Sequence, residues 1–444
     1  MGDFIMIKRK VTIGVTIIFL VCVLVSCSKD TQEYYGNEVD GNTLRICIDV
    51  ENQGVDFNEY ELIRCYEELL EQIKVGIGIQ NIVLEVLPGS GADRETALHR
   101  IRTEIMAGEG PDVFILSAVG GNFMGEYEGA LVNFPEKSME SGLFLPLDTY
   151  MEEHTQFTDW DAQTKAILNA GRTDEGQIVI PMKYTFPVTV YPKHAATIPY
   201  TKELTLHEIV NDSKTNEIGA VLYTGQYNDY EQENKYVDTT LLTYLIGKLA
   251  DYKEEELLFT EAELHELLST MHNLQEDAER NPCRYIREEA GYWLLQRMDL
   301  EYFDTEMTLV PHYSRNGGIA ASIVAYTAVN RNTRFPEEAF SVVDFLMQEE
   351  MQMESKLYSH MLGNMSIPLQ NDIGYDGKPL YTDKYFSPSM YDEFLSIKEQ
   401  ITEVNFRSEL DMMLADLACD SLVNEVDKDH ISEIYEKMDR MVGE

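Results

Sequence analysis

Between Thr43 and Leu116 the apolar residues switch period from two to 3.6 and back, twice over, and that pattern leaves few folds open. Thr43–Val50 sets Leu44, Ile46, Ile48 and Val50 on alternate positions, as one face of a strand requires. Phe57–Lys74 then places Leu62, Cys65 or Tyr66, Leu69 and Ile73 along a helical stripe. Ile82–Leu87 reads as a second strand, closed by Pro88 and Gly89. Asp93–Ala107 predicts a helix with Ala97, Leu98, Ile101 and Ile105 inward, and Gly108 supplies its stop. Asp112–Leu116 is a third strand. Strands alternating with helices imply a parallel sheet with crossover helices, an α/β fold. In open sheets of this kind ligands sit beyond the carboxyl ends of the strands. Those ends are Glu51–Asp56, Pro88–Ala92 and Ser117–Tyr127.

The remaining 300-odd residues are mixed, and a chain of 444 residues is long enough for two lobes. Gln177–Pro181 and Thr185–Tyr191 read as strands separated by a turn. Thr260–Leu274 is a helix whose Thr260 and Glu263 form a capping box. Thr308–Pro311 and Gly318–Val329 read as extended. Pro336, followed by Glu337 and Glu338, opens a helix to about Ser355 with Ala339, Val342, Val343 and Leu346 inward. Beyond Ile367 the pattern is largely helical.

The amino terminus is a leader. Lys8-Arg9-Lys10 precedes an apolar run from Val11 to Val25, about 15 residues and short for a bilayer span. The run ends in Leu24-Val25-Ser26-Cys27, which resembles the lipobox of bacterial lipoproteins. That resemblance implies a signal peptide over 1–26 and lipidation of the Cys27 thiol, with membrane attachment through the acyl chains. A cleaved but unlipidated signal, or an uncleaved anchor, fits the same residues. Residues 27–42 are polar and charged, as a flexible tether would be.

Acidic residues number 78 against 35 basic, a formal net charge of −43. A surface of that sign repels phosphate backbones, which excludes nucleic acid as a partner, and it repels anionic lipid surfaces too. The cysteines at 22, 27, 47, 65, 283 and 419 show no C-x-x-C spacing, so neither a zinc motif nor a redox motif is present. Cys47, Cys65, Cys283 and Cys419 fit buried free thiols, and a Cys47–Cys65 disulfide is the alternative. No P-loop, no G-x-S-x-G elbow and no H-E-x-x-H occurs, and no cofactor or metal is expected. Asp372–Asp383 echoes a calcium loop, but glycine at its third position offers no side-chain oxygen, and it reads as a turn.

Five segments, taken in order, carry a family resemblance. They are Leu98–Phe114 (LHRIRTEIMAGEGPDVF), Gly176–Tyr191 (GQIVIPMKYTFPVTVY), Gly291–Pro311 with Trp293, Gly318–Glu350 (GIAASIVAYTAVNRNTRFPEEAFSVVDFLMQEE), and Gly363–Pro368 (GNMSIP). Together with the lipobox they resemble the extracellular solute-binding proteins of ABC importers, in the sugar-binding, maltose-binding-protein-like branch. The resemblance implies a two-lobed periplasmic-binding-protein-like fold with three inter-lobe crossings, near Pro187, Pro311 and Pro368. The N-terminal lobe would be 43–187 plus 310–366, and the C-terminal lobe 188–309 plus 367–444. It also implies a monomer on the outer face of the cell membrane that hands a small solute, a sugar or oligosaccharide, to permease subunits. No catalytic residues are implied.

A sugar site needs flat aromatic faces and side-chain hydrogen-bonding groups. By loop position the candidates are Asn52, Gln53 and Asp56 after the first strand, and Ser117, Gly120, Gly121 and Asn122 after the third. Tyr184, Tyr223, Trp293 and Tyr313 are the aromatic candidates, Trp293 because it sits where the family commonly places a cleft tryptophan. Two other readings use the same fold: a surface sensor that has lost its ligand, and a lipid-anchored glycoside hydrolase built on two of the many carboxylates.

Overall fold

The computed structural model describes residues 33–36, 39–50, 59–118, 129–192, 242–280, 291–294, 307–311, 313–362, 367–369, 388–424 and 427–443. Its first half follows the alternation of periods. Strand β1 (Glu33–Gly36) comes first, then β2 (Leu44–Asp49), helix α1 (Glu59–Ile77), β3 (Ile82–Val86), α2 (Gly91–Met106) and β4 (Val113–Ser117). Strands β2, β3 and β4 pair in parallel. Helix α1 buries Cys65, Tyr66, Leu69, Leu70 and Ile73 against the sheet. At ~1.5–3 kcal/mol for a large apolar side chain, that one face outweighs any intrinsic helix preference. Helix α2 stops as expected: Gly108 takes φ +78°, and its N–H reaches the Ile105 carbonyl at 2.9 Å.

Short helix α3 (Pro135–Glu140) leads toward β5 (Val179–Thr185) and β6 (Pro187–Pro192). The break between these strands falls at Phe186, not between Pro181 and Thr185 as the sequence suggests. The residues 182–185 continue β5 because it lies between two partners and is buried at every position. Then come α4 (Leu242–Ile246), α5 (Glu261–Arg280), β7 (Gly291–Leu294), β8 (Met307–Pro311) and β9 (Ile319–Val329). The capping box is present in α5, where the Glu263 N–H donates to Thr260 Oγ1 at 3.2 Å and the Thr260 N–H to Glu263 Oε2 at 2.7 Å.

The helix from Pro336 is shorter than its pattern suggests: α6 ends at Leu346 and α7 (Glu349–Glu354) starts afresh. Gln348 turns extended, with ψ 151°, and Gln352 Nε2 donates to the Met347 carbonyl at 2.6 Å. The stripe Ala339, Val342, Val343 and Leu346 is fully buried, as read. After β10 (Ile367–Pro368) and α8 (Pro388–Lys398), a strand that the helical reading missed, β11 (Ile401–Phe406), precedes α9 (Glu409–Val423) and α10 (Lys428–Gly443).

Eight strands make one sheet in the order β1-β3-β2-β4-β9-β5-β10, with β11 also paired to β9. A three-stranded sheet, β7-β6-β8, stands apart. The chain therefore leaves the large sheet at Phe186 and re-enters it between Pro311 and Ile319. Among the described residues there are two apolar cores. One lines the large sheet, and the other joins α4, α5, α9 and α10. Cys47 and Cys65 are free thiols in the first core, so the disulfide alternative is set aside. Residues 33–36, read as part of the tether, are instead β1, because two tyrosines give this segment something to pack.

Helix packing in the first core leaves a specific signature. A Cβ on Gly76 would lie 2.0 Å from Phe345 Cε2, and Phe157 holds that ring edge-on at 5.5 Å between centroids. Gly76→Ala should therefore lose stability, by about 1–2 kcal/mol, since overpacking exceeds the gain in helix preference. Thermal unfolding of the variant checks this; an unchanged or higher melting temperature would contradict it.

Candidate functional site

The large sheet directs its parallel strands at the place where the two cores meet. Strand β4 pairs antiparallel with the second half of β9, Ser117 opposite Ala325. On the same side of β9, β11 pairs with the first half, ending with Phe406 opposite Ile323. The carboxyl ends of β4 and β11 thus point toward one another across Val324, whose carbonyl accepts the Ala118 N–H at 2.8 Å. Phe406 and Tyr326 meet edge-on there, 5.4 Å apart at 89°. The Tyr326 hydroxyl is buried with no hydrogen-bond partner among the described residues. Burial, and secondly the nearby Asp49 carboxylate, raise its pKa well above the ordinary tyrosine value.

Asp49 ends β2 at this edge and is nearly inaccessible. Arg94, at the start of α2, donates from Nη1 to Asp49 Oδ1 at 2.8 Å and to the Pro88 carbonyl at 2.9 Å. Arg94 Nη2 donates to the Gly129 carbonyl at 2.6 Å, and the Leu131 N–H donates to Asp49 Oδ2 at 2.8 Å. One guanidinium and one carboxylate therefore pin both flanks of the edge, 88–90 and 129–131. Asp49 is committed to this clamp, so it organises the edge and is not an open hydrogen-bonding group.

A second polar group seams the two cores. Lys248 Nζ pairs with Glu136 Oε2 at 2.8 Å, and the Lys248 N–H donates to the Glu403 carboxylate on β11. Asn316 Nδ2 donates to Glu403 Oε2 at 2.9 Å, and the Phe406 N–H to Glu136 Oε1 at 3.4 Å. Asn133 Nδ2 donates to Glu409 Oε2 at 3.0 Å, and Lys137 Nζ to the Val442 carbonyl at 3.1 Å. Burial raises the Glu136 pKa despite Lys248. Burial is the largest influence on the Lys248 ammonium and works against it, but the Glu136 charge and hydrogen bond, with the Asp251 and Glu403 charges, together raise its pKa.

This seam makes a pH prediction. Lys248→Met leaves Glu136 buried with only a backbone donor and should destabilise by about 2 kcal/mol at neutral pH. A carboxyl with a raised folded-state pKa favours the fold while protonated, and that contribution is lost as pH rises through the raised value. The deficit of the variant in urea unfolding should therefore be smallest below the ordinary carboxyl range, where Glu136 is protonated in both states, and grow as pH rises through its raised value. A deficit independent of pH would contradict the assignment.

Of the expected ligand contacts, the structure places Ser117 at the carboxyl edge of β4. Tyr313 packs against both cores, and its hydroxyl donates to Gln400 Oε1 at 3.0 Å. Tyr184 is a correction: it lies in β5 at 1% exposure, stacked with Phe186 at 6.3 Å, because that strand is covered on both faces. The backbone of Trp293 pairs with Val188 in the three-stranded sheet. Asn52, Gln53, Asp56, Gly120, Gly121, Asn122 and Tyr223 lie outside the described residues, as do Cys27 and the calcium-like loop.

Sequence reading missed the clamp and the seam. A lone Glu85 inside the apolar run IVLEVL, and Arg45 inside LRICID, were the available signals of buried charge. Among the described residues no helix is long and apolar enough to cross a membrane, and no group of three His, Cys, Asp or Glu side chains could hold a metal ion.

No protein-family model matches the sequence, and neither does any curated protein. Solved structures do match in fold. A periplasmic oligogalacturonide binding protein from Yersinia enterocolitica is 14% identical at TM-score 0.52, over 90% of this chain and 99% of that one. The cyclic alpha-maltosyl-1,6-maltose binding protein from Arthrobacter globiformis is 12% identical at TM-score 0.50, over 90% and 98%. A de novo designed cysteine esterase is 15% identical at TM-score 0.50, over 90% and 98%. At such identities the likeness is one of architecture. The chain has the α/β fold of the two-lobed periplasmic binding proteins.

Proposed function

We propose that this chain is the solute-binding lipoprotein of an ABC importer, capturing a sugar or oligosaccharide between two lobes and delivering it to permease subunits. The observation that carries the reading is the meeting of β4 and β11 across β9 at the junction of two separate cores. A ligand held there touches both bodies, so its binding free energy favours whichever arrangement brings them together. The chain passes between sheets at Phe186 and between Pro311 and Ile319, in keeping with two of the crossings that the family resemblance implies. The third, near Pro368, follows β10, and the lobes are 43–187 plus 310–366 and 188–309 plus 367–444, with β11 shared at the joint through its pairing to β9.

Two of the similar structures are named for oligogalacturonide and for a cyclic maltosaccharide, which supports a carbohydrate as the solute. Ser117 borders the site, Asn52, Gln53, Asp56, Gly120, Gly121 and Asn122 are its further candidates by sequence alone, and Tyr313 bonds Gln400 at the other end of β11. Cys27 carries the lipid, so the protein works on the outer face of the membrane as a monomer without catalytic activity. Native mass spectrometry of the protein purified from its own host tests this: one intact solute per chain is expected. Turnover of chromogenic glycosides or esters, or a chain that carries nothing and ignores a broad saccharide panel, would contradict it.

A further inference from the structure

We infer that β1 turns the lipid anchor toward the ligand edge of the sheet, so that the carboxyl-edge rim of the first lobe is held close to the membrane surface. The inference rests on the proposed lipidation of Cys27. Strand β1 runs antiparallel to β3, with Glu33 opposite Val86 and Gly36 opposite Val83. Val86 is the last residue of β3, so the chain enters the fold at the carboxyl edge and descends from there. Two side-chain contacts and a close backbone approach fix the strand there. The Tyr34 hydroxyl donates to Glu85 Oε1 at 3.2 Å, the Tyr35 ring lies 5.3 Å from Tyr66, and a Cβ on Gly36 (φ +124°) would lie 2.6 Å from the Ile82 carbonyl oxygen.

The covalent reach follows directly. Cys27 and Glu33 are six residue steps apart, a span of at most about 20 Å. Were the first fixed residue Leu44 instead, 17 residue steps would allow about 60 Å and no preferred face. The rim so tethered carries Pro88–Ser90, one of the flanks that Arg94 pins. The far end of α2, at Met106, lies about 24 Å away along the helix.

The experiment uses the full lipidated chain in phosphatidylcholine–phosphatidylglycerol vesicles that carry a headgroup acceptor dye. A genetically encoded fluorescent amino acid replaces either Ser90 or Met106, both exposed. Several-fold stronger energy transfer from position 90 is expected. Inserting a 20-residue Gly/Ser linker after Ser28, which leaves β1 untouched, should abolish the difference, and so should Gly36→Val. A chain that fails to float with the vesicles overturns the anchor reading and this inference together. A chain that floats but transfers equally from both positions, or keeps the contrast with the long linker, overturns the inference alone.

Discussion

Glu85→Ala should lower stability by about 3–5 kcal/mol, because it strips the carboxylate from a buried charge network. Glu85 sits mid-strand in β3 with its side chain fully buried. Arg45 of β2 donates to Glu85 Oε2 from Nη2 at 2.7 Å and from Nε at 3.3 Å, Arg100 of α2 pairs with Oε1, and the Tyr34 hydroxyl donates to the same oxygen. Truncation leaves two half-buried guanidinium groups with Glu104 as their common acidic partner. The full stabilisation of the group is not what is lost; the loss is the cost of leaving charge in a poorly solvated place. Glu85→Gln keeps the shape and an acceptor, so it should cost less. It also supplies a spectroscopic arm, because burial first and Glu85 second push the Tyr34 pKa up to about 12. In Glu85→Gln, ultraviolet titration should find that tyrosine ionising at lower pH. Urea midpoints within error of wild type for Glu85→Ala would sink this account of the network.

Arg94→Ala should cost a comparable ~3–5 kcal/mol, because it leaves Asp49 nearly inaccessible and without its cation. It differs from the first case in consequence as well as in location. Glu85 ties β1, β2, β3 and α2 together, whereas Arg94 fixes the backbone at Pro88 and Gly129, on the two flanks of the carboxyl edge that we propose holds the solute. Solute affinity should therefore fall beyond what unfolding explains, measured at a temperature where the variant remains folded. Arg94→Lys should not restore it, since a single ammonium cannot serve a carboxylate and two carbonyls held in fork geometry. Rescue by lysine, or unchanged affinity in a folded Arg94→Ala, would contradict the role given to the clamp.

These two sites also mark where the sequence was legible and where it was not. The order β2-α1-β3-α2-β4 was readable almost to the residue, because each element buries one face and hydrophobic period reports burial directly. The same logic found the stripe of α6 but overran its end, since the break depends on Gln352, a polar side chain reaching back to a carbonyl. It missed β1 and β11, short strands whose partners lie far along the chain. It placed Tyr184 at a cleft because tyrosine suits sugar contacts, whereas β5 has a strand on either side and buries it. Buried charge was the least visible feature. Glu85 stands out only by interrupting the apolar run IVLEVL, and Asp49 looks like an ordinary acidic residue among 78 until it is seen to pair with Arg94. Ser117 does end β4, as its strand pattern suggests, but the Asp49–Arg94 clamp beside that edge left no trace in the sequence pattern.

The central claim is that two bodies close on one solute. Small-angle X-ray scattering of the purified chain, titrated with uronic-acid and maltose-type oligosaccharides, tests it most directly. We expect the radius of gyration to fall and saturate at one ligand per chain with at least one member of the panel. A scattering curve that stays the same while that ligand demonstrably binds would contradict closure of the lobes, and with it this reading of the joint across β9.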